Sequence, residues 1–95
     1  MYRRKSIAVA IAAYNEEDFV ADVVSTIPQY VDAIYVVDDA STDNTATVLR
    51  QLVDSRLRVL THDRNRGVGA AFTTAFHVAL AEGADIVATM AGDGQ

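Results

Sequence analysis

Three near-continuous apolar runs, at residues 7–13, 33–37 and 86–90, constrain this chain most. Runs of that kind are how strands covered by helices on both faces of a parallel sheet read, because no position along them is left to water. A shorter strand is predicted at residues 57–61, between the last two runs. Elsewhere the apolar spacing changes to a helical period: Phe19, Val20, Val23, Val24 and Ile27, then Val48, Leu49 and Leu52, then Val68, Ala71, Phe72, Ala75, Phe76, Ala79 and Leu80. Pro28 closes the first of these helices, Thr42 or Asp43 is placed to cap the second, and Gly83 to end the third in a left-handed turn. Strictly alternating strands and helices predict an α/β, three-layer sandwich with a mostly parallel, Rossmann-like sheet.

Composition narrows the function. With 95 residues, half of them hydrophobic, the chain holds one small core and no more than one domain. A formal net charge of -5 repels a phosphate backbone and argues against nucleic acid as partner. The absence of cysteine removes disulfides, thiolate metal sites and cysteine nucleophiles, and fits a reducing compartment. Residues 2–5 are basic, but the apolar run that follows is too short to span a bilayer and lacks the other features of a signal peptide. The expectation is a soluble, cytoplasmic chain.

Sheets of this kind bind ligands at the carboxyl ends of their strands. The loops there read Tyr14-Asn15-Glu16-Glu17, Asp38-Asp39-Ala40-Ser41-Thr42-Asp43, His62-Asp63-Arg64-Asn65-Arg66-Gly67 and Ala91-Gly92-Asp93-Gly94-Gln95. Adjacent carboxylates where a buried strand emerges, Asp38 and Asp39, suit base and ribose recognition or a cation site; beside Ser41, Thr42 and Asp43 they fit helix capping and turn chemistry equally well. Asp93 and Gln95, two residues apart, are able to share a hard cation such as Mg²⁺ or Mn²⁺, with water and a diphosphate filling the remaining positions, although Gly-Asp-Gly is also an ordinary turn.

The segment Gly67-Val68-Gly69-Ala70-Ala71-Phe72 resembles the start of a dinucleotide fingerprint, but it follows the third strand rather than the first and ends in Phe72. Its small residues fit close packing at a helix start, with Arg64, Arg66 and the helix amino end offering positive potential to phosphate, or two arginines on a solvated surface. His77 is expected on the exposed side of its helix and His62 at a strand end; spacing assigns neither a catalytic role. There is no Gly-Lys-Ser/Thr phosphate loop.

Taken in order, Ala13-Tyr14-Asn15-Glu16-Glu17, the segment from Val36 to Thr45, Asn65-Arg66-Gly67-Val68-Gly69-Ala70-Ala71 and Gly92-Asp93-Gly94-Gln95 resemble the motifs of family-2 glycosyltransferases, most closely the dolichyl- or polyprenyl-phosphate sugar synthases. The resemblance covers nearly the whole chain. It implies the nucleotide-binding half of a glycosyltransferase-A fold, a nucleotide-diphosphate sugar of UDP or GDP type as donor, a lipid-phosphate or saccharide acceptor, and a divalent cation. Carried over by position, Tyr14 and Glu16 lie against base and ribose, Asp38 or Asp39 bonds the nucleoside, Arg64, Asn65 and Gly67 border the nucleotide, and Asp93 with Gln95 holds the metal. A carboxylate-rich site needs that cation before it accepts a diphosphate, and the same cation stabilises the departing nucleotide.

Two departures from the pattern stand out. Ala12 replaces the proline usual before the Ala-Tyr-Asn segment, and Ala91 replaces the first Asp of the usual Asp-x-Asp, so cation binding is expected to be weaker or to lean on the donor's phosphates. By the same analogy the fourth strand pairs with the first and leaves residues 84–90 as an unpaired apolar edge, for which self-association is expected. The acceptor contacts and any catalytic base are expected to lie beyond these 95 residues. The other functions considered are a non-catalytic nucleotide-binding or assembly module, a Rossmann-type dehydrogenase piece, against which the misplaced glycines argue, and a phosphoreceiver-like domain, whose acidic cluster should follow the first strand, where this chain has Asn15 and Glu16.

Overall fold

The structure, a computed structural model, describes residues 4–91. Its elements alternate as the spacing predicts: β1 (Ile7–Ala13), α1 (Val20–Ser25), β2 (Ala33–Asp38), α2 (Thr45–Gln51), β3 (Leu57–Thr61), α3 (Val68–Ala81) and β4 (Ile86–Ala91). The four strands form one parallel sheet in the order β3-β2-β1-β4. The chain steps outward from β1 to β3, then α3 carries it back over the sheet to β4 on the far side of β1. Right-handed crossovers in opposite directions must lie on opposite faces, so α1 and α2 cover one side and α3 the other.

The two faces of β1 are built from different residues. Ile7, Val9, Ile11 and Ala13 join Ile34 and Val36 of β2 against Val20, Val23, Val24 and Leu49 of the shorter helices. The alternate residues, Ala8 and Ala10 with Tyr35 and Val37, meet Ala71, Ala75 and Ala79 of α3. Alanines spaced four apart on the helix, facing alanines two apart on the strand, let α3 lie close to the sheet. Phe72 and Phe76 stack on each other at the flank of this contact, their ring centroids 6.5 Å apart.

Several expectations change in detail. Phe19, Val68 and Leu80 belong to the helical apolar pattern yet are more than half exposed. Phe19 and Val68 lie at the very starts of α1 and α3, whereas Leu80 is turned away from the face that carries Ala71, Ala75 and Ala79. Asn44, rather than Thr42 or Asp43, is the N-cap of α2, and its side chain makes no capping bond; Asp43 instead accepts from the Thr45 amide at 2.9 Å. Gly83, at φ 96°, does turn the chain out of α3 as expected.

The central strands are buried, whereas β3 and β4 are edges with one backbone side open among the described residues. The apolar run at 86–90, predicted as doubly covered, is half open: Ile86 is 45% exposed. The expected placement of the fourth strand beside the first is what the structure has.

At the amino end of the sheet, Arg56 ties the loops together. It pairs with Asp54 at 3.0 Å and donates to the carbonyls of Ile27, Pro28 and Val31. Nearby, the buried Tyr35 hydroxyl donates to Glu82, and burial first, then that neighbouring carboxylate, pushes its pKa up to about 12.

Candidate functional site

The strand order reverses between β1 and β4, and in an open parallel sheet the crevice at the carboxyl ends beside that reversal is where ligands bind. Tyr14, 43% exposed, leaves β1 at that edge. Strand β4 reaches the same edge, since Ala91 is in register with Ala12. The expected cation residues Asp93 and Gln95 lie outside the described residues. Among the described residues there is no cluster of His, Cys, Asp or Glu able to hold a metal.

The loops after β1 and β2 are locked together by short polar side chains. Asn15, in the left-handed region at φ 52°, accepts from the Thr42 amide at 2.8 Å and the Asp43 amide at 3.3 Å. In return, the Asn15 amide donates to Ser41 Oγ, the Glu16 amide to Thr45 Oγ1 at 2.9 Å, and the Glu17 amide to Asp43 Oδ2. Burial alone would raise the Asp43 carboxyl, but the Thr45 hydroxyl and the amides of Thr45 and Glu17 outweigh it and hold the group below the usual carboxylate range. This weave fixes the backbone beneath Tyr14 and Glu16. Ala40 sits in it at φ 60°, a conformation costly for any residue with a Cβ and tolerated where surrounding bonds over-determine the turn.

Asp38 and Asp39 are almost wholly buried, at 2% and 3% exposure, and they do different things. Side chains alternate across a strand, so Asp38 lies on the α1 and α2 side with Val36, and Asp39 on the α3 side with Val37. Asp38 Oδ1 accepts from the Ser41 amide at 3.0 Å, and no donor among the described residues reaches its second oxygen. Asp39 is spent on the protein. Its Oδ1 receives the Arg66 amide at 2.9 Å and faces His62 Nδ1 at 2.7 Å, and its Oδ2 receives the Gly67 amide at 2.8 Å. Asn65 Nδ2 reaches the Asp39 carbonyl at 3.4 Å.

Burial opposes the charge on Asp39, but His62 and the two amides prevail and its pKa falls below the ordinary value. The head of α3 therefore already faces a carboxylate of the protein itself. Gly67, the N-cap of α3, takes φ 92°, ψ 164°, a region that only glycine enters without strain, and this lets two successive amides turn toward one carboxylate. Arg64 and Arg66 remain on the surface, Arg66 in an exposed pair with Asp63.

The geometry thus gathers Tyr14, Glu16, Asp38, Asp39, Arg64, Asn65 and Gly67 at one end of the sheet. Residues 8–95 match the family model described as glycosyl transferase family 2. The chain belongs to glycosyl transferase family 2. A relative from Methanococcus voltae, UDP-N-acetylglucosamine–dolichyl-phosphate N-acetylglucosaminyltransferase, is 34% identical across 96% of this chain and 42% of its own length. Among solved structures, the mannosyltransferase PcManGT of Pyrobaculum calidifontis, in complex with GDP-Man and Mn²⁺, superposes with a TM-score of 0.84 at 27% identity, over 97% of this chain and 28% of that one. Glucosyl-3-phosphoglycerate synthase of Mycobacterium tuberculosis, in complex with Mn²⁺, UDP-glucose and glycerol 3-phosphate, gives 0.73 at 26% identity, over 94% of this chain and 34% of that one. The chain therefore spans less than half the length of each of these proteins.

The sequence pointed to Tyr14, Glu16, Asp38, Asp39, Arg64, Asn65 and Gly67 and gave little sign of the residues that support them. Ser41 and Asp43 appeared there only as turn residues, Asn15 only within a motif, and Thr45 and Thr74 had no role. His62 carried a signal, a polar ring at a strand end, but its partners come from β2 and α3.

Proposed function

We propose that this chain forms the donor side of a glycosyl transferase family 2 enzyme, holding a nucleotide-diphosphate sugar of UDP or GDP type for transfer to an acceptor such as a polyprenyl phosphate. The observation that carries this is the carboxyl edge beside the β1/β4 reversal, where the loops after β1 and β2, bonded to each other, carry the exposed ring of Tyr14 and the buried carboxylate of Asp38. Tyr14 offers a face to the base, Glu16 and Asp38 offer acceptors to base and ribose, and the loop from Arg64 to Gly67 borders the nucleotide. Asp93 and Gln95 would hold a divalent cation, which when bound neutralises the diphosphate and the leaving nucleotide. PcManGT and the synthase are both in complex with a nucleotide sugar and Mn²⁺, and the Methanococcus relative is named for a dolichyl-phosphate acceptor, which supports this reading. Such an acceptor places the site at a membrane surface; no helix among the described residues is long and apolar enough to cross one.

Calorimetric titration with UDP and GDP, with and without Mn²⁺, tests the reading. Binding is expected with one base and to require the cation. Tyr14→Ala should weaken it about 10-fold or more, as loss of a stacking ring does, and Asp93→Ala should remove the cation requirement together with most of the affinity. Absence of binding under every condition would refute it.

The open side of β4 supports a second element of the proposal, self-association. Its residues 86–90 carry no charge, whereas β3 is guarded by Arg58, and an uncharged open edge is a template for pairing. Light scattering is expected to show a dimer that Ala88→Lys dissociates. A monomer at high concentration in the parent chain would refute it.

A further inference from the structure

We propose that His62 is a positioning residue for the donor site: held between Asp39 and Thr74, it sets the carboxylate that fixes the loop from Asp63 to Gly67. The inference rests on the donor-site reading above for what the loop serves, and on the geometry alone for how the loop is held.

His62 is 8% exposed and lies just beyond β3, an edge strand otherwise half open to solvent. Its amide donates to the Asp38 carbonyl at 3.0 Å, which continues the β2–β3 ladder one residue past the strand and brings the ring over Asp39. Both ring nitrogens are engaged, Nδ1 with Asp39 Oδ1 at 2.7 Å and Nε2 with Thr74 Oγ1 at 2.8 Å. An ionised carboxylate only accepts, so Nδ1 carries the proton, and in the neutral ring Nε2 accepts from the Thr74 hydroxyl. A chain of bonds then runs from the second turn of α3 through the imidazole to β2, and back from Asp39 to the amides of Arg66 and Gly67 at the head of α3.

That closed circuit explains why a buried carboxylate is aimed at backbone rather than at solvent. Asp39 Oδ1 shares His62 and Arg66, and Oδ2 takes Gly67; without the ring to one side, the carboxylate is free to rotate about χ2 and release one amide. Asp63, Arg64, Asn65 and Arg66 are all exposed, and the loop's other bonds are the longer Asn65 Nδ2 contact to the Asp39 carbonyl at 3.4 Å and the surface pair of Arg66 with Asp63. His62 does not need to touch the nucleotide to matter to it.

The test uses the full chain with three substitutions, His62→Phe, His62→Asn and Thr74→Val. Phe keeps the ring and loses both bonds; Asn keeps a donor for Asp39. Amide hydrogen exchange at Arg66 and Gly67 should accelerate at least 10-fold in His62→Phe, with amides of β1 and β2 unchanged, and return most of the way in His62→Asn. Thr74→Val should fall between wild type and His62→Phe. The ring itself should show a protonated Nδ1 by ¹⁵N spectroscopy.

The affinity for Mn²⁺ with UDP or GDP, whichever binds, should drop about 10-fold in His62→Phe and recover in His62→Asn. Unchanged exchange at Arg66 and Gly67 in His62→Phe, or an Nδ1 without a proton, overturns the clamp. Faster exchange with unchanged affinity overturns its service to the donor. If wild type binds neither nucleotide, the donor-site reading falls and this service with it, while the exchange data still decide the clamp.

Discussion

Ile11→Ala is expected to lower the free energy of unfolding by about 2–5 kcal/mol, the range for truncating a large aliphatic side chain in a close-packed core. Ile11 is fully buried on the central strand β1, between β2 and β4, among the residues that α1 and α2 cover. Strands on both sides and a helix layer above leave the site little freedom to collapse, so the cavity persists and adds to the lost transfer energy. A domain of this size holds only about 5–15 kcal/mol in total, so the variant should unfold at a much lower urea midpoint. Val59→Ala on the edge strand β3, where the side chain is 41% exposed, serves as the contrast and should cost well under half as much. Equal losses for the two substitutions would mean that the core is not centred on β1.

Asp39→Ala is expected to cost about 2–4 kcal/mol, because it leaves His62 Nδ1 and the amides of Arg66 and Gly67 without their acceptor. The loss should depend on pH in a defined direction. The folded-state pKa of Asp39 is lowered from 3.8, so its contribution is fully present above the unfolded value and disappears as pH falls through the folded one. The stability difference between wild type and Asp39→Ala should therefore shrink as pH falls below about pH 4. Asp43 and Asp54, also lowered, keep their own contributions in both proteins and cancel from the difference. Urea titrations at several pH values measure it. A gap that widens toward acid would show that the carboxylate is strained in the folded state rather than stabilised by its donors.

The layout of the fold was legible because strand and helix impose different periods on the same apolar residues. Residues 7–13 and 33–37 became the central strands, and the helical spacing of Ala71, Ala75 and Ala79 became the face that α3 lays on the sheet. Where the reading went astray, the cause is tertiary. Phe19 and Val68 satisfy the helical period, but a period says only which side of a helix a residue occupies, and not whether anything lies opposite; Leu80 falls outside the stripe of Ala71, Ala75 and Ala79 and faces away from the sheet. The run at 86–90 has the composition of a doubly covered strand, and its half-open state depends on the strand order, which no local signal carries.

The candidate site divides in the same way. By itself the sequence determined that carboxylates, amides and two arginines would collect in the loops after the strands, because buried parallel strands admit polar residues only where they end, and the order of those motifs carried the family. What it left open was the division of labour between Asp38 and Asp39. Two identical neighbours have the same propensities and the same chemistry, yet the two-residue period of the strand sends them to opposite faces, one toward the Ser41 turn and the other toward His62 and the head of α3. The partners that give each its role are 3 residues away for Asp38 and 23 to 28 away for Asp39. Only the return of α3 across the sheet brings the distant set within hydrogen-bonding reach.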